Sequence, residues 1–184
     1  LEECVFEGDL KGVMKLVAEG ANVNHDDGGD GPVLLLAAEN GQVEVVRLLC
    51  EKLGANVNQA NEKGVTPLFQ AGRMGHADLV RLMVEKLGAN INHASKDGQT
   101  ALMRAAEWGM DEVVQVLAKE LGADVNLASK NGITALMYAA KCGDMVTETG
   151  EVIWERYAGP EHLAIVRVLG ELGANVNHTD QLGR

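Results

Sequence analysis

Aromatic residues are scarce in this sequence. Phe, Trp and Tyr make up 3% of the 184 residues, although 46% of the residues are hydrophobic. A core with so few rings must be built mainly from Ala, Val and Leu, and such small side chains suit closely stacked helices. The sequence also lacks an apolar run long enough to cross a bilayer and an opening segment of the signal-peptide type, so we expect no direct insertion into a membrane.

Cysteine and positive charge are sparse as well. The three cysteines, Cys4, Cys50 and Cys142, lie far apart and form no C-x-x-C pair. This pattern is typical of reduced thiols in an intracellular protein, cytoplasmic or nuclear, and we interpret the three as small core residues. Lys and Arg number 16 against 27 Asp and Glu, which gives a net charge of −11. Nucleic acid is therefore not an expected partner, because its binding needs a clustered basic surface.

What the sequence does contain is an internal repeat. Gly54, Gly88 and Gly122 follow one another at intervals of 34 residues. Two further glycine series keep the same interval: Gly64, Gly98 and Gly132, and Gly41, Gly75 and Gly109. Three independent series with one period indicate a repeat architecture.

The unit around residues 98–127 illustrates the local structure that each repeat predicts. Thr100 is a favourable helix N-cap and precedes apolar residues at helical spacing, so we predict a short first helix that ends at Gly109. A second helix follows, with apolar residues at i, i+3 and i+4, and ends at Gly122. The polar remainder predicts a projecting, hairpin-like finger.

These features resemble the ankyrin repeat family, whose pattern G-x-T-P/A-L-x-x-A-A-x-x-G…V-V-x-x-L…G-A-x-V-N recurs over essentially the whole chain. The resemblance implies an all-α repeat solenoid of stacked helix–turn–helix units with hairpin-like fingers. We divide this single domain into five units, at about residues 1–27, 28–61, 62–95, 96–129 and 130–184. The middle units carry one extra residue, which we expect to lengthen the second helix by a fraction of a turn: Leu53, Leu87 or Leu121.

The two end units differ from each other. The first has Gly12 and Lys15 where later units have apolar residues, as expected of a polar cap. The fifth keeps Ile165 and Val166 and so resembles an internal unit, and the residues after it read as the opening of a sixth. Either the array continues in a longer protein, which we favour, or something else covers this end.

The fifth unit is interrupted by an insertion at about residues 144–161, between its two predicted helices. Segments 146–149 and 152–155 are β-prone and flank residues 150–151, where Gly suits a tight turn. We therefore expect a short β-hairpin with a two-residue turn.

A short helix over residues 151–158 is the alternative for the insertion, since Gly159 and Pro160 would end it. In the hairpin, Trp154 or Tyr157 would anchor the insertion to the array or form a second binding site.

The resemblance places the binding surface on the concave side, formed by the fingers and the first helices. Candidate residues occur there at i, i+3 and i+4 and vary between units while the flanking motif stays fixed. The partner-binding candidates are Gln70, Arg73, Met74, Arg104, Glu107, Trp108, Tyr138 and Lys141. Interface energy tends to concentrate on Trp, Tyr and Arg. The alternative is that Trp108 and Tyr138 shield the fingers and that the two arginines only form surface ion pairs.

Catalytic, cofactor and metal sites find no support in the sequence. The acidic segment that starts at Asp26 has Ala37 where a calcium loop needs its twelfth-position Glu. Three histidines occupy the same position in different units: His25, His93 and His178. They lie too far apart to bind one metal ion. We interpret them as hydrogen-bonded residues of the fingers.

A repeated asparagine follows the Val or Ile of each finger. The resemblance implies that these residues stand in a context accepted by animal asparaginyl hydroxylases, and the alternative is that they tie the finger together by side-chain hydrogen bonds. They are Asn58, Asn92, Asn126 and Asn177.

Together these observations predict a non-enzymatic protein–protein interaction module that binds a protein or peptide in its concave groove, without a cofactor. We expect a monomer, either by itself or within a longer chain. The alternative function is a regulatory or structural ankyrin segment of a larger protein that docks on its own neighbouring domain.

Overall fold

The structure is a computed structural model that describes residues 1–25, 31–140, 145–146, 152–153 and 159–183. Its helices come in five consecutive pairs. The first helices are α1 (Glu2–Glu7), α3 (Val33–Glu39), α5 (Pro67–Met74), α7 (Ala101–Glu107) and α9 (Ala135–Ala140). The second helices are α2 (Leu10–Ala18), α4 (Val43–Glu51), α6 (Ala77–Glu85), α8 (Asp111–Val114) with a π-helical continuation (Gln115–Glu120), and α10 (Pro160–Glu171).

The helices form two stacked layers. Each first helix contacts the first helix of the next pair, and each second helix contacts its counterpart in the same way. The core between the layers is built almost entirely from Ala, Val and Leu, with a few Met and Ile side chains. The expected all-α repeat solenoid is therefore confirmed.

Threonine and glycine set the ends of the first helices, as predicted from the repeat. The Thr100 hydroxyl accepts a hydrogen bond from the backbone N–H of Met103, and the hydroxyls of Thr66 and Thr134 do the same in their own units. The left-handed φ of Gly109, 70°, then turns the chain out of α7. Residues with side chains rarely adopt this conformation, so the glycine register also sets the helix length.

The expectation that the extra leucine lengthens the second helix is wrong for Leu53 and Leu87, because α4 and α6 contain 9 residues each. Before Leu121, the 4 residues of α8 continue as a π-helical segment of 6 residues, so the helical segment of this unit is one residue longer than α2. Helix α2, which lacks the extra residue, and α4, which precedes Leu53, both contain 9 residues. The chain instead widens the turn after the helix: Leu53 N–H donates to the Leu48 carbonyl and Ala55 N–H to that of Leu49. The leucine packs against the core, so its side chain gains burial without an added helical turn.

The inserted segment contains two short strands, β1 (Met145–Val146) and β2 (Val152–Ile153), which pair antiparallel. This pairing agrees with the hairpin rather than with the helix. Because Val146 pairs with Val152, the register does not allow the predicted two-residue turn at 150–151, which would pair residue 149 with 152. Helix α10 begins at Pro160, so this proline lies in the first helical turn as expected.

Backbone hydrogen bonds join the finger loops between the units. Lys96 N–H donates to the Lys63 carbonyl at 3.0 Å, and Lys130 N–H donates to the Asp97 carbonyl at 2.9 Å. These bonds align successive fingers along one edge of the array. We call the surface formed by the fingers and the first helices the groove.

Candidate partner-binding groove

The first helices bring the predicted groove residues into adjacent rows. Gln70, Arg73 and Met74 lie on α5. Arg104 and Glu107 lie on α7, Trp108 follows them at its C-cap, and Tyr138 lies on α9. Because α5, α7 and α9 pack side by side, these rows face the same side of the array. Lys141, Trp154 and Tyr157 lie outside the described residues.

Arg73 links two units across the groove. Its Nη2 donates to Glu39 Oε1 at 2.8 Å, and its Nε donates to Gln70 Oε1 at 3.1 Å. Both charged side chains keep part of their surface in solvent, so the pair adds little to stability. Its main effect is to neutralise the positive charge of the groove at this point.

Arg104 is as exposed as Arg73 but contacts an aromatic ring in addition to a carboxylate. Its guanidinium lies 5.6 Å from the centroid of the Phe69 ring in the preceding unit and also bonds to Glu107. Stacking on the ring buries the flat face of the guanidinium, and the carboxylate compensates its charge. Arg104 therefore contacts the preceding unit, and its charge is paired with Glu107.

Tyr138 connects α9 to the finger of the fourth unit. The Gln99 side-chain amide donates to the Tyr138 hydroxyl at 2.5 Å, and the ring is half-buried against the core. This is the geometry expected of a residue that shields a finger, the alternative that the sequence left open for Tyr138.

Met74 and Trp108 present the largest apolar surface of the predicted rows. Met74 is 43% exposed and Trp108 is 53% exposed. Both stand directly before the glycine that ends their helix, Gly75 and Gly109, so they share one register on adjacent units. The groove thus combines paired charges with two neighbouring apolar side chains.

Phe6 was missed by the sequence analysis. It stands two residues before Gly8, the register of Arg73 and Glu107, and is 63% exposed. The glycine register contains this signal, whereas the Trp and Tyr residues of the chain all lie in the fourth and fifth units. Phe6 is therefore a further exposed apolar side chain on a first helix.

Comparison with protein-family models gives a match described as ankyrin repeats (3 copies), at residues 1–95, 54–129 and 87–180. The overlapping matches cover nearly the whole chain. The chain belongs to the ankyrin repeat family. No curated protein matches the sequence at a significant level. Ankyrin repeats generally act as protein–protein interaction modules and scaffolds.

The repeated asparagines connect consecutive ankyrin units. Asn58 Oδ1 accepts from the backbone N–H of Asn90 at 2.7 Å, while its Nδ2 donates to the Gly88 carbonyl at 3.1 Å. Asn24 and Asn126 make the same pair of contacts with their following units, and Asn92 makes the first of them. The side chains of Asn58, Asn92 and Asn126 therefore join neighbouring fingers, whereas the sequence analysis weighed hydrogen bonds within one finger.

Two of the finger histidines, His93 and His178, each contact a backbone carbonyl near the start of their own unit. Nε2 of His93 lies 3.1 Å from the Gly64 carbonyl oxygen, and Nε2 of His178 lies 3.1 Å from that of Gly132. Within the part of the chain that the structure describes, no group of three or more His, Cys, Asp or Glu residues could hold a metal ion. None of the described helices is long and apolar enough to span a membrane.

The Cys50 thiol is suited to packing rather than to chemistry. Burial, with a smaller effect of the neighbouring Glu51 carboxylate, raises the pKa of Cys50 to about 11. Since the thiolate is the reactive form, a raised pKa keeps this side chain inert near neutral pH.

Proposed function

We propose that this chain is a non-catalytic binding module whose concave groove receives an apolar side chain of a partner protein against Met74 and Trp108. The observation that carries the proposal is the exposure of these two large side chains in one register of adjacent first helices. Interfaces concentrate their energy on such residues, with Trp the most enriched.

The charges around this pair support a partner segment of low charge at its centre. Arg73 is paired with Glu39, and Arg104 is paired with Glu107. A partner carboxylate would have to displace an existing acidic partner to bind either arginine, and would gain little from the exchange. An aliphatic or aromatic side chain instead adds apolar burial without breaking an ion pair.

A matched pair of variants tests the proposal. Proteins captured from cell extract by the wild-type chain are identified, and their affinity is measured for the double variant Met74→Ala, Trp108→Ala and for the control Leu163→Ala. Leu163 is also strongly exposed but lies on α10, a second helix outside the groove.

We expect the groove variant to lose at least about 30-fold in affinity, the loss typical of an interface hot spot. The control should bind like wild type, and both variants should keep the wild-type circular dichroism spectrum. A captured partner that binds the groove variant as tightly as wild type would show that the binding surface lies elsewhere.

A further inference from the structure

One position of the fingers carries a different kind of side chain in the fourth unit. This position lies between the glycine of the finger and the threonine that caps the next first helix, and it holds Val65, Gln99 and Ile133 in successive units. In all three units its backbone carbonyl accepts a hydrogen bond from the N–H four residues earlier, and its side chain is half-buried. The backbone is thus the same, and the fourth unit places a neutral amide where its neighbours place aliphatic groups.

The Gln99 amide is held at one atom and open at the other. Its Nε2 donates to the Tyr138 hydroxyl at 2.5 Å, whereas its Oε1 accepts no hydrogen bond from any residue that the structure describes. This oxygen is not one of the buried polar atoms that lack a partner, so it reaches solvent. The bond to Tyr138 therefore fixes the side chain and leaves an oriented acceptor in the groove.

Gln70 on α5 has the complementary arrangement. Its Oε1 accepts from Arg73 Nε at 3.1 Å, and its Nε2 donates to no acceptor within the described part of the chain. This nitrogen also reaches solvent. The groove therefore offers a neutral donor and a neutral acceptor, while Arg73 and Arg104 are already paired with carboxylates.

The distance between the two amides sets the length of chain that can bridge them. Gln70 lies on α5, and Gln99 contacts Tyr138 on α9, so helix α7 lies between the two amides. Packed helices stand about 8–10 Å apart, which gives about 16–20 Å for two such steps. An extended chain covers this distance with about five or six residues, at about 3.3 Å per residue. Trp108, at the end of α7, lies along this path.

We propose that the groove recognises an extended, uncharged peptide segment, with one main-chain carbonyl accepting from Gln70 and one main-chain N–H donating to Gln99. Every residue of an extended segment presents a donor and an acceptor. A helix uses most of these groups in its own hydrogen bonds and would leave the two amides unmatched, which is costly once they are buried. An apolar side chain between the two contacts packs on Trp108. This inference rests on the proposed function, because it names the partner chemistry of the same groove.

A phage-displayed library of random peptides supplies the probe. The peptides have about 12 residues, about twice the span between the amides. Those selected on the wild-type chain are synthesised, and their affinity is measured by fluorescence anisotropy. Each main-chain N–H of a selected peptide is then replaced in turn by an ester oxygen, which removes one donor and keeps the side chains.

We expect one of these esters to bind the wild-type chain about 3- to 10-fold more weakly than the parent peptide, as for the loss of one hydrogen bond. The same ester should bind Gln99→Leu as well as the parent peptide does, because the acceptor is already absent. Gln99→Glu keeps an acceptor oxygen and should retain the loss. Gln115→Leu is the matched control, since Gln115 is exposed on a second helix outside the groove, and it should behave like wild type.

The failure of this inference differs from the failure of the proposed function. A library that yields no peptide, or only peptides that bind the double variant Met74→Ala, Trp108→Ala as tightly as wild type, would overturn both. Peptides that lose affinity for that double variant, but whose esters affect wild type and Gln99→Leu equally, would keep the groove as the binding surface and overturn the main-chain contact. A helical circular dichroism signal from the bound peptide would overturn the extended conformation.

Discussion

The asparagine contacts between fingers lead to a quantitative prediction for Asn58→Ala. This substitution removes the acceptor for Asn90 N–H and the donor to the Gly88 carbonyl. A hydrogen bond in a folded protein contributes about 0.5–1.5 kcal/mol net, so the two together contribute about 1–3 kcal/mol. Because the site is exposed and water can replace part of each bond, we expect a loss of about 1–2 kcal/mol in the free energy of unfolding.

The assay is urea unfolding followed by circular dichroism, with Asn177→Ala as the matched control. Asn177 has the same local sequence, and its own finger contact with Asn175 resembles that of Asn58 with Asn56. No described helix pair follows it, so its replacement should lower stability by less than about 0.5 kcal/mol, the range of ordinary surface substitutions.

Asn58→Asp separates the two contacts, because the carboxylate keeps an acceptor for Asn90 N–H and loses the donor to Gly88. We expect Asn58→Asp to lower the free energy of unfolding by less than Asn58→Ala does. Equal losses for Asn58→Ala and Asn177→Ala would refute the reasoning, since the effect would then arise within one finger rather than between units. A broader transition in Asn58→Ala alone would further support a weakened link between neighbouring units.

Two further predictions concern backbone geometry and thiol reactivity. Gly88→Ala and Gly98→Ala both force alanine into a left-handed φ, 74° and 76°, but the new Cβ meets nothing within 4 Å at Gly88 and lies 2.7 Å from Lys130 N at Gly98. By thermal or urea unfolding, we expect Gly88→Ala to lose about 1–2 kcal/mol and Gly98→Ala to lose a further 1–3 kcal/mol or so from displaced backbone; equal losses would contradict the close approach. For Cys50, raising the pKa from 9.0 to about 11 lowers the thiolate fraction at pH 8 about 100-fold, so mass spectrometry should detect correspondingly slower alkylation in the folded chain than in urea. Equal rates would contradict its burial.

Much of the fold could be predicted from the sequence, because the features that define it are local. Thr100 and Gly109 set the ends of α7 through their own hydroxyl group and backbone conformation. The prediction for the extra leucine was wrong because one and the same sequence is compatible with a longer helix and with a wider turn after the helix. The prediction of a two-residue turn was wrong for a related reason. The β-propensity of a segment indicates a strand, but it does not set which residues of two strands pair.

The candidate site was predictable only in part. The resemblance and the i, i+3, i+4 spacing selected the rows that hold Met74 and Trp108. They could not show that Arg104 lies over Phe69 or that Tyr138 bonds to Gln99. These contacts join residues of neighbouring units, and their formation depends on the stacking geometry. Whether a side chain is free to meet a partner is decided by such contacts.

The sequence by itself determined the repeat, the helix ends and the family, because each depends on residue identity at a fixed spacing. The tertiary structure alone decided which of the repeated residues are buried, paired or exposed. Val125 and Val176 show the difference most directly: they occupy the same position in nearly identical fingers, yet one is in the core and the other faces solvent. Burial is set by atoms from the next unit of the stack, and no local sequence pattern contains them.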